Sequence, residues 1–235
     1  MEKKSVRILA CIAVENNWEL HHIDIVSAYL NSELEEEIFM TPPKGSNIDP
    51  MYVCLLKKSV NGLKQSGKNW YQYVQEKFLR LGLTRCISEP CIFVGKNLVV
   101  GAYVDDFLAT GTGEEISTFK KNLSNFMKIK DLGPVTSFLS IHFTRPDANT
   151  ILLDQQKYIT ALLQEFSMSD CKSSPYPLQE GKYEVSNEQF DKQIYQHAIG
   201  SLLYVSTCTR PDIANAVCKL SQRCQNPSVS DWKGS

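Results

Sequence analysis

Two adjacent carboxylates, Asp105 and Asp106, stand between apolar runs at 98–104 and 107–109. Neighbouring residues of a regular strand point to opposite faces, so a consecutive acidic pair inside such runs carries a desolvation cost. The pair becomes sensible in a tight hairpin turn whose carboxylates hold a metal ion. An ordinary polar turn is the alternative, and the pair alone does not decide between them. A second acid, Asp24, interrupts the apolar stretch Ile23-Asp24-Ile25, where a cap or a surface aspartate is the ordinary reading. If its strand lies beside the hairpin, three carboxylates converge at one sheet end. Such a cluster needs divalent cations to offset its repulsion, and Mg²⁺, with oxygen ligands and phosphates, suits it.

The elements that must position these acids follow from periodicity. A helix is expected over about residues 4 to 15, then a strand over 18–25. Pro42, Pro43, Gly45, Asn47 and Pro50 mark a long loop, and 51–56 reads as a short strand ending at Lys57-Lys58. Trp70, Val74, Phe78 and Leu81 recur at helical spacing, with Gly82 as a stop. Residues 92–94, 98–104 and 107–109 read as buried strands. Thr112 and Glu115 fit a capping box opening a helix with Ile116, Phe119, Leu123 and Phe126 on one face. Extended structure returns at 138–143 and 151–153, followed by a helix turning Tyr158, Leu162 and Phe166 inward. Two helices are expected to close the chain, the second capped by Thr209 with Pro211 in its first turn. The order is α+β, not a repeating βαβ pattern.

Composition sets the outer limits. The 235 residues allow one large domain or one with an appendage, at about 150 residues per domain, and 43% apolar with 22% charged residues exclude a disordered or collagenous chain. The formal charge is −1, so no global field announces a nucleic-acid partner. Between Lys57 and Arg85, however, seven Lys or Arg residues face one acid, Glu76, a density suited to phosphates or to a solvated helix face. Eight cysteines form no CxxC and read as reduced, mostly buried thiols of an intracellular protein. The apolar run at 8–14 resembles a short signal peptide, but no small-residue cleavage site follows, so a buried helix is expected. No run approaches the roughly 18 apolar residues of a membrane span.

Tyr103-Val104-Asp105-Asp106, the upstream Asp24 with Ala28-Tyr29, and Asn61-Gly62-Leu63-Lys64-Gln65 between them resemble reverse transcriptase motifs, in that family's order. The similarity is closer to copia-type retrotransposon polymerases. It includes Leu34 to Met40 with Pro42-Pro43, the Val53-Cys54 strand, Lys130-Asp131-Leu132-Gly133, Phe138-Leu139, Tyr158 and Thr209-Arg210-Pro211-Asp212, and it covers nearly the whole chain.

The resemblance implies an α+β palm, an antiparallel sheet backed by helices, followed by a helical thumb or connection region. Residues 1–170 would be the palm with partial fingers and the start of the thumb, 171–192 a linker, and 193–235 a truncated helical region. It implies RNA- or DNA-templated synthesis of DNA from deoxynucleoside triphosphates. Asp24, Asp105 and Asp106 would be the catalytic and metal-holding triad for two Mg²⁺ ions, with Mn²⁺ as a substitute. Tyr29 would be a steric gate against the 2′-hydroxyl. Asn61, Gly62, Lys64 and Gln65 would meet the nucleotide, and Tyr103, Lys68, Phe138, Leu139 and Ser140 the primer and template. Lys128 and Lys130 both fall where such enzymes place a lysine near the leaving pyrophosphate. Trp70, on the apolar stripe, reads as core.

Three departures from the family pattern stand out. Ser66-Gly67 replaces a small residue and proline, which loosens the start of the next helix. Ser140 replaces a glycine in the primer-gripping turn, at a cost of about 1 kcal/mol if φ is positive there. The chain starts on its first helix, where the family has a fingers segment with basic residues, and stops where the family continues toward RNase H. Two functions follow: a polymerase module working with those parts of a polyprotein, in cytoplasmic virus-like particles and without a membrane, or a degenerate, host-retained fragment that at most binds nucleic acid.

Overall fold

The computed structural model describes residues 1–178 and 188–234. They form two compact units, one of Met1–Val135 with Asp147–Thr150, the other of Thr136–Pro146 with Ile151–Ser235. Part of the expected linker, 179–187, lies outside the described residues.

In the first unit, α1 (Lys3–Glu15) leads into β1 (Glu19–Ile25) and a 3₁₀ turn (Ala28–Asn31). A separate hairpin of β2 (Glu33–Met40) and β3 (Cys54–Lys58) follows, then α2 (Ser66–Arg80), β4 (Thr84–Arg85), β5 (Ile92–Val94), β6 (Leu98–Tyr103), β7 (Asp106–Gly111), α3 (Gly113–Leu123) and β8 (Ile129–Pro134). Six strands form one sheet in the order β4-β5-β6-β7-β1-β8, every neighbouring pair antiparallel. The α+β class with an antiparallel sheet and helices against it is what the sequence pattern implies. Strand β3 starts at Cys54, later than residue 51, and takes in both lysines.

Alternation along the strands explains the layers. Ile23, Ile25, Val100, Ala102, Phe107 and Ala109 share one face and bury against Trp70, Val74 and Phe78 of α2 and Ile116, Phe119 and Leu123 of α3. Phe78 meets Phe93, Phe107 and Phe119 edge-on at centroid distances of 4.9, 5.3 and 5.4 Å. A phenylalanine buried this fully stabilises by roughly 2–3 kcal/mol. On the opposite face α1 comes in close over Gly101, where an added Cβ would lie 2.8 Å from Leu9 Cδ1. The signal-like run is thus a packed helix, with Val6, Leu9, Ala10 and Ala13 buried.

The element ends follow local chemistry. Thr112 caps α3 by accepting from the Glu115 N–H at 3.4 Å. Gly82, at φ +81°, follows the end of α2, so Leu81 caps that helix instead of continuing it. The missing proline does not delay α2, because the buried Ser66 hydroxyl donates to the Val60 carbonyl at 2.6 Å and fixes its first turn.

One charged cluster ties α3 to the sheet. The Lys120 ammonium, 9% exposed, donates to Asp131 Oδ1 and to His21 Nδ1, each at 2.6 Å. An ammonium only donates, so the ring proton of His21 sits on Nε2, 2.8 Å from Glu19 Oε2. Burial pushes the Asp131 carboxyl up. The hydrogen bonds from Lys120 and the Gly133 N–H, with the Lys120 charge, outweigh it and hold the group below its ordinary 3.8. A carboxylate depressed on folding contributes stability above its unfolded value and loses it as pH falls through the folded one. Denaturant midpoints measured from pH 5 to pH 3 are therefore expected to fall less steeply in Lys120→Met than in the parent. Equal slopes would mean the pair contributes nothing.

In the second unit, β9 (Ser137–Phe138), β10 (Ile141–Asp147) and β11 (Thr150–Asp154) form a sheet in the order β11-β10-β9. Then come α4 (Gln156–Glu165), α5 (Lys192–Cys208), a 3₁₀ turn (Pro211–Ile213), α6 (Ala214–Ser221) and α7 (Val229–Gly234). Tyr195, Ile199 and Val217 form the core of the closing helices, with Phe190 stacked on Trp232 at 4.6 Å. The Tyr195 hydroxyl donates to the Leu220 carbonyl, and burial, then the Asp231 charge, push its phenol up to about 12.

Several expectations are corrected here. Three helices close the chain among the described residues, the last opened by a reciprocal box in which Ser228 and Asp231 bond each other's backbone N–H. Thr209 does not open the turn that follows but closes α5 as its C-cap, and its hydroxyl donates to Gln155 Oε1 at 2.8 Å, while Asp212 is held by Arg210. Tyr158, Leu162 and Phe166 are half-buried, because α4 makes ring contacts at its edge instead of entering a core. The cysteines are not mostly buried either. Cys208 is, Cys11, Cys171 and Cys218 are exposed, the others lie between, and none of the eight, all among the described residues, forms a disulfide. Among the described residues no helix is long and apolar enough to cross a membrane.

Candidate active site

Strand register brings the acids together. Asp24 lies directly opposite Asp106 on β7 and opposite Lys130 on β8, and Asp106 lies opposite Tyr103 on β6. Cross-strand partners share a face with Cβ atoms about 5 Å apart, so Lys130, Asp24, Asp106 and Tyr103 form one row across four strands. Both aspartates are half-buried. Like charges directly opposite repel, and two cationic or proton-bearing groups ease this. Lys130 flanks Asp24, and His22 Nε2 lies 2.7 Å from Asp106 Oδ1. Of the two lysines left open by the sequence, Lys130 is the one in the row; Lys128 is exposed and its carbonyl accepts from the Val26 N–H.

Asp105 stands in the two-residue connection Val104-Asp105 between the paired Tyr103 and Asp106. Val104 has φ +51°, and positive φ at the first connecting residue alone is the II′ hairpin pattern, normally taken by glycine. A β-branched residue there is strained by about 1–3 kcal/mol and persists only where its surroundings hold it. The Val104 carbonyl accepts from the Trp70 indole N–H at 2.7 Å, and the Asp105 carbonyl accepts from the Ile25 N–H at 2.7 Å. The acids thus arrive as an opposed pair with the third on an adjoining turn, not as one three-carboxylate cluster. Among the described residues no three acidic, histidine or cysteine side chains gather closely enough to hold an ion alone. An all-oxygen pair of this kind suits Mg²⁺, which keeps waters and takes one or two carboxylates together with phosphate oxygens.

A cleft of about 300 Å³ opens between residues 27–30, Val60-Asn61 and Val104-Asp105. Tyr29, half-buried against the core, and Asp105 both line it. Tyr29 is held by its own turn. The Asn31 amide donates to the Ser27 and Ala28 carbonyls at 3.1 Å, and the buried Ser32 hydroxyl donates to the Tyr29 carbonyl at 2.9 Å. Asn61 lines the cleft beside Gly62, whose φ of +94° shows why glycine stands there. Lys64 and Lys68 are exposed and Gln65 is half-buried. Part of the basic stretch is internally compensated, since Glu76 pairs with Lys77 and Arg80.

Phe138, Leu139 and Ser140 belong to the second unit. Phe138 is buried and pairs with Ile141, leaving Leu139-Ser140 as the two-residue turn between β9 and β10. Both turn residues have positive φ, +49° and +57°, the I′ geometry. Ser140 therefore does occupy a position where glycine would be unstrained. The Leu139 carbonyl accepts from the Tyr204 hydroxyl.

Sequence reasoning passed over two residues. His22 precedes Asp24 by two and so shares its face, a signal that strand alternation offered. Trp70 is core, as its place on the apolar stripe predicts, but its N–H reaches the turn, which apolar periodicity does not report.

The family pattern described as reverse transcriptase (RNA-dependent DNA polymerase) matches residues 1–180. The Pol polyprotein of transposon TNT 1-94 from Nicotiana tabacum is 32% identical over 97% of this chain and 19% of its own length. That of transposon RE1 from Arabidopsis thaliana is 32% identical over 97% of this chain and 16% of its own. A putative transposon Ty5-1 protein of Saccharomyces cerevisiae is 28% identical over 87% of this chain and 70% of its own. The chain thus spans less than a fifth of the two plant polyproteins.

Proposed function

The chain belongs to the reverse transcriptase (RNA-dependent DNA polymerase) family, and on that premise we propose that it copies a nucleic-acid template into DNA during retrotransposon replication. The primer 3′-hydroxyl attacks the α-phosphorus of a deoxynucleoside triphosphate, a new phosphodiester forms, and pyrophosphate leaves with the electrons of the broken bond. Enzymes of this family generally use divalent metal ions. Asp24, Asp105 and Asp106 would hold two Mg²⁺ ions, or Mn²⁺, which when bound acidify the 3′-hydroxyl and offset the triphosphate charge. What the chain itself contributes is placement. The β1–β7 register fixes Asp24 against Asp106, while Tyr29 on the 27–30 turn would lie under the sugar and Asn61 to Gln65 would border the nucleotide. Lys64 and Lys68 offer charge to phosphates. Tyr103 and the Phe138-Leu139-Ser140 turn serve the primer and template. The fingers and RNase H segments of a Pol polyprotein are the partners that would complete the work, in cytoplasmic particles.

The observation that carries this reading is the pairing of Asp24 with Asp106 next to the Val104-Asp105 turn, on a cleft that Tyr29 shares. Primer extension on poly(rA)/oligo(dT) with Mg²⁺ tests it. Extension by the chain and none by Asp105→Asn is expected. Failure of both, with the chain folded, would overturn polymerisation by this polypeptide, and a primer–template binding assay would then show whether it only holds nucleic acid.

A further inference from the structure

We propose that Trp70 is a positioning residue for the catalytic turn: its indole N–H clamps the Val104 carbonyl and thereby sets where the Asp105 carboxylate stands. The inference rests on the role given to Asp105 above. The Val104 carbonyl and the Asp105 N–H belong to one peptide plane, so a bond that fixes the carbonyl direction also fixes the plane from which Asp105 departs. The donor is itself immobile. Trp70 is 3% exposed, in the first turns of α2, and its ring stacks with Tyr73 at 5.8 Å and Phe107 at 6.5 Å.

The turn needs such a clamp. Val104 holds a positive φ that a β-branched side chain resists, and the residue, 42% exposed, packs too little to lock it. Besides the flanking strand pairs, two hydrogen bonds hold the connection, from Trp70 to Val104 and from Ile25 to Asp105. The Ile25 bond ties the turn to the strand of Asp24, and the Trp70 bond ties it to the helix beneath. The apolar stripe at this position requires only a large ring. The N–H is the extra feature, and it is spent on the turn. With the N–H removed, the Val104 carbonyl still faces a ring that is 3% exposed and loses its donor, so the turn gives up position together with some stability.

The test replaces Trp70 by 3-benzothienylalanine, which keeps the ring shape and puts sulfur in place of N–H, and separately uses Trp70→Phe. Extension kinetics, amide hydrogen exchange at 104–106 and the thermal midpoint are read for both and for Asp105→Asn. For the isostere we expect a thermal midpoint lower by a few degrees and extension kcat lower by about 10- to 100-fold. The deoxynucleotide KM should change less than about twofold, and amide exchange at Asp106, which pairs with Tyr103, should be at least about 10-fold faster. Trp70→Phe should reproduce the kinetic and exchange changes with a larger drop in midpoint. Unchanged kcat and exchange in the isostere would overturn the proposal and leave Trp70 as core. If the parent chain extends no primer, the Asp105 reading fails by that result, and the exchange data alone decide whether Trp70 holds the turn.

Discussion

Asp24→Asn is expected to abolish primer extension and, in the same protein, to raise the thermal midpoint measured without metal. The two effects share one cause. Asp24 and Asp106 are directly opposed on neighbouring strands, and like charges in that position cost about 0.2–1 kcal/mol. An asparagine keeps the shape, removes one charge and can donate to Asp106. For a chain of this size the gain corresponds to up to about 4 °C, toward the low end because Lys130 and His22 already ease the repulsion. The catalytic loss should be about 10³-fold or more, since electrostatic stabilisation of the transferring phosphate supplies most of the rate. Thermal scans with EDTA and with Mg²⁺ check both sides. Mg²⁺ should raise the parent midpoint and leave the variant unmoved. A variant less stable than the parent in EDTA would show that Asp24 holds the fold together instead of straining it.

Tyr29→Val is expected to relax sugar discrimination, raising ribonucleotide incorporation relative to deoxynucleotide on the order of 10²-fold. Rejection by a clash is lost when the clashing atoms are removed, whereas the correct sugar loses little. The ring is well placed for this because the Ser32 and Asn31 side chains brace its turn. A valine leaves those backbone contacts in place, so the extension rate with deoxynucleotides should change only a few-fold. Competition between matched ribo- and deoxynucleotides in single-turnover extension measures the ratio. An unchanged ratio would return Tyr29 to an ordinary core residue.

Much of the framework was legible in local pattern. Helix α2 announced itself through Trp70, Val74 and Phe78, the hairpin through two apolar runs broken by Asp105-Asp106, and α3 through the Thr112 cap. What escaped has a common reason: it depends on partners far away in the chain. No periodicity states that residue 24 faces residue 106, because register is settled by the whole sheet. Thr209 carries a good cap signal, yet Gln155 takes its hydroxyl. The Trp70 N–H looks like part of an apolar stripe until the turn it reaches is in place. The exposed Cys11 and Cys218 show the converse, residues whose type suggests the interior while their helix faces point outward.

The strand order carries a consequence for how the chain is made. Strand β1 leaves the ribosome first, yet its two neighbours are β7 and β8, some hundred residues behind it. At ordinary elongation speeds of about 5–20 residues per second, it waits roughly 5–20 s without either hydrogen-bonding edge filled. During that time it is available to wrong partners, and its closure is a long-range, slow event. The two opposed acids come into being only when β7 arrives. Nascent polypeptides released before that point contain Asp24 and no acid pair, so the docking of β7 on β1 and the assembly of the opposed carboxylates are a single step in synthesis.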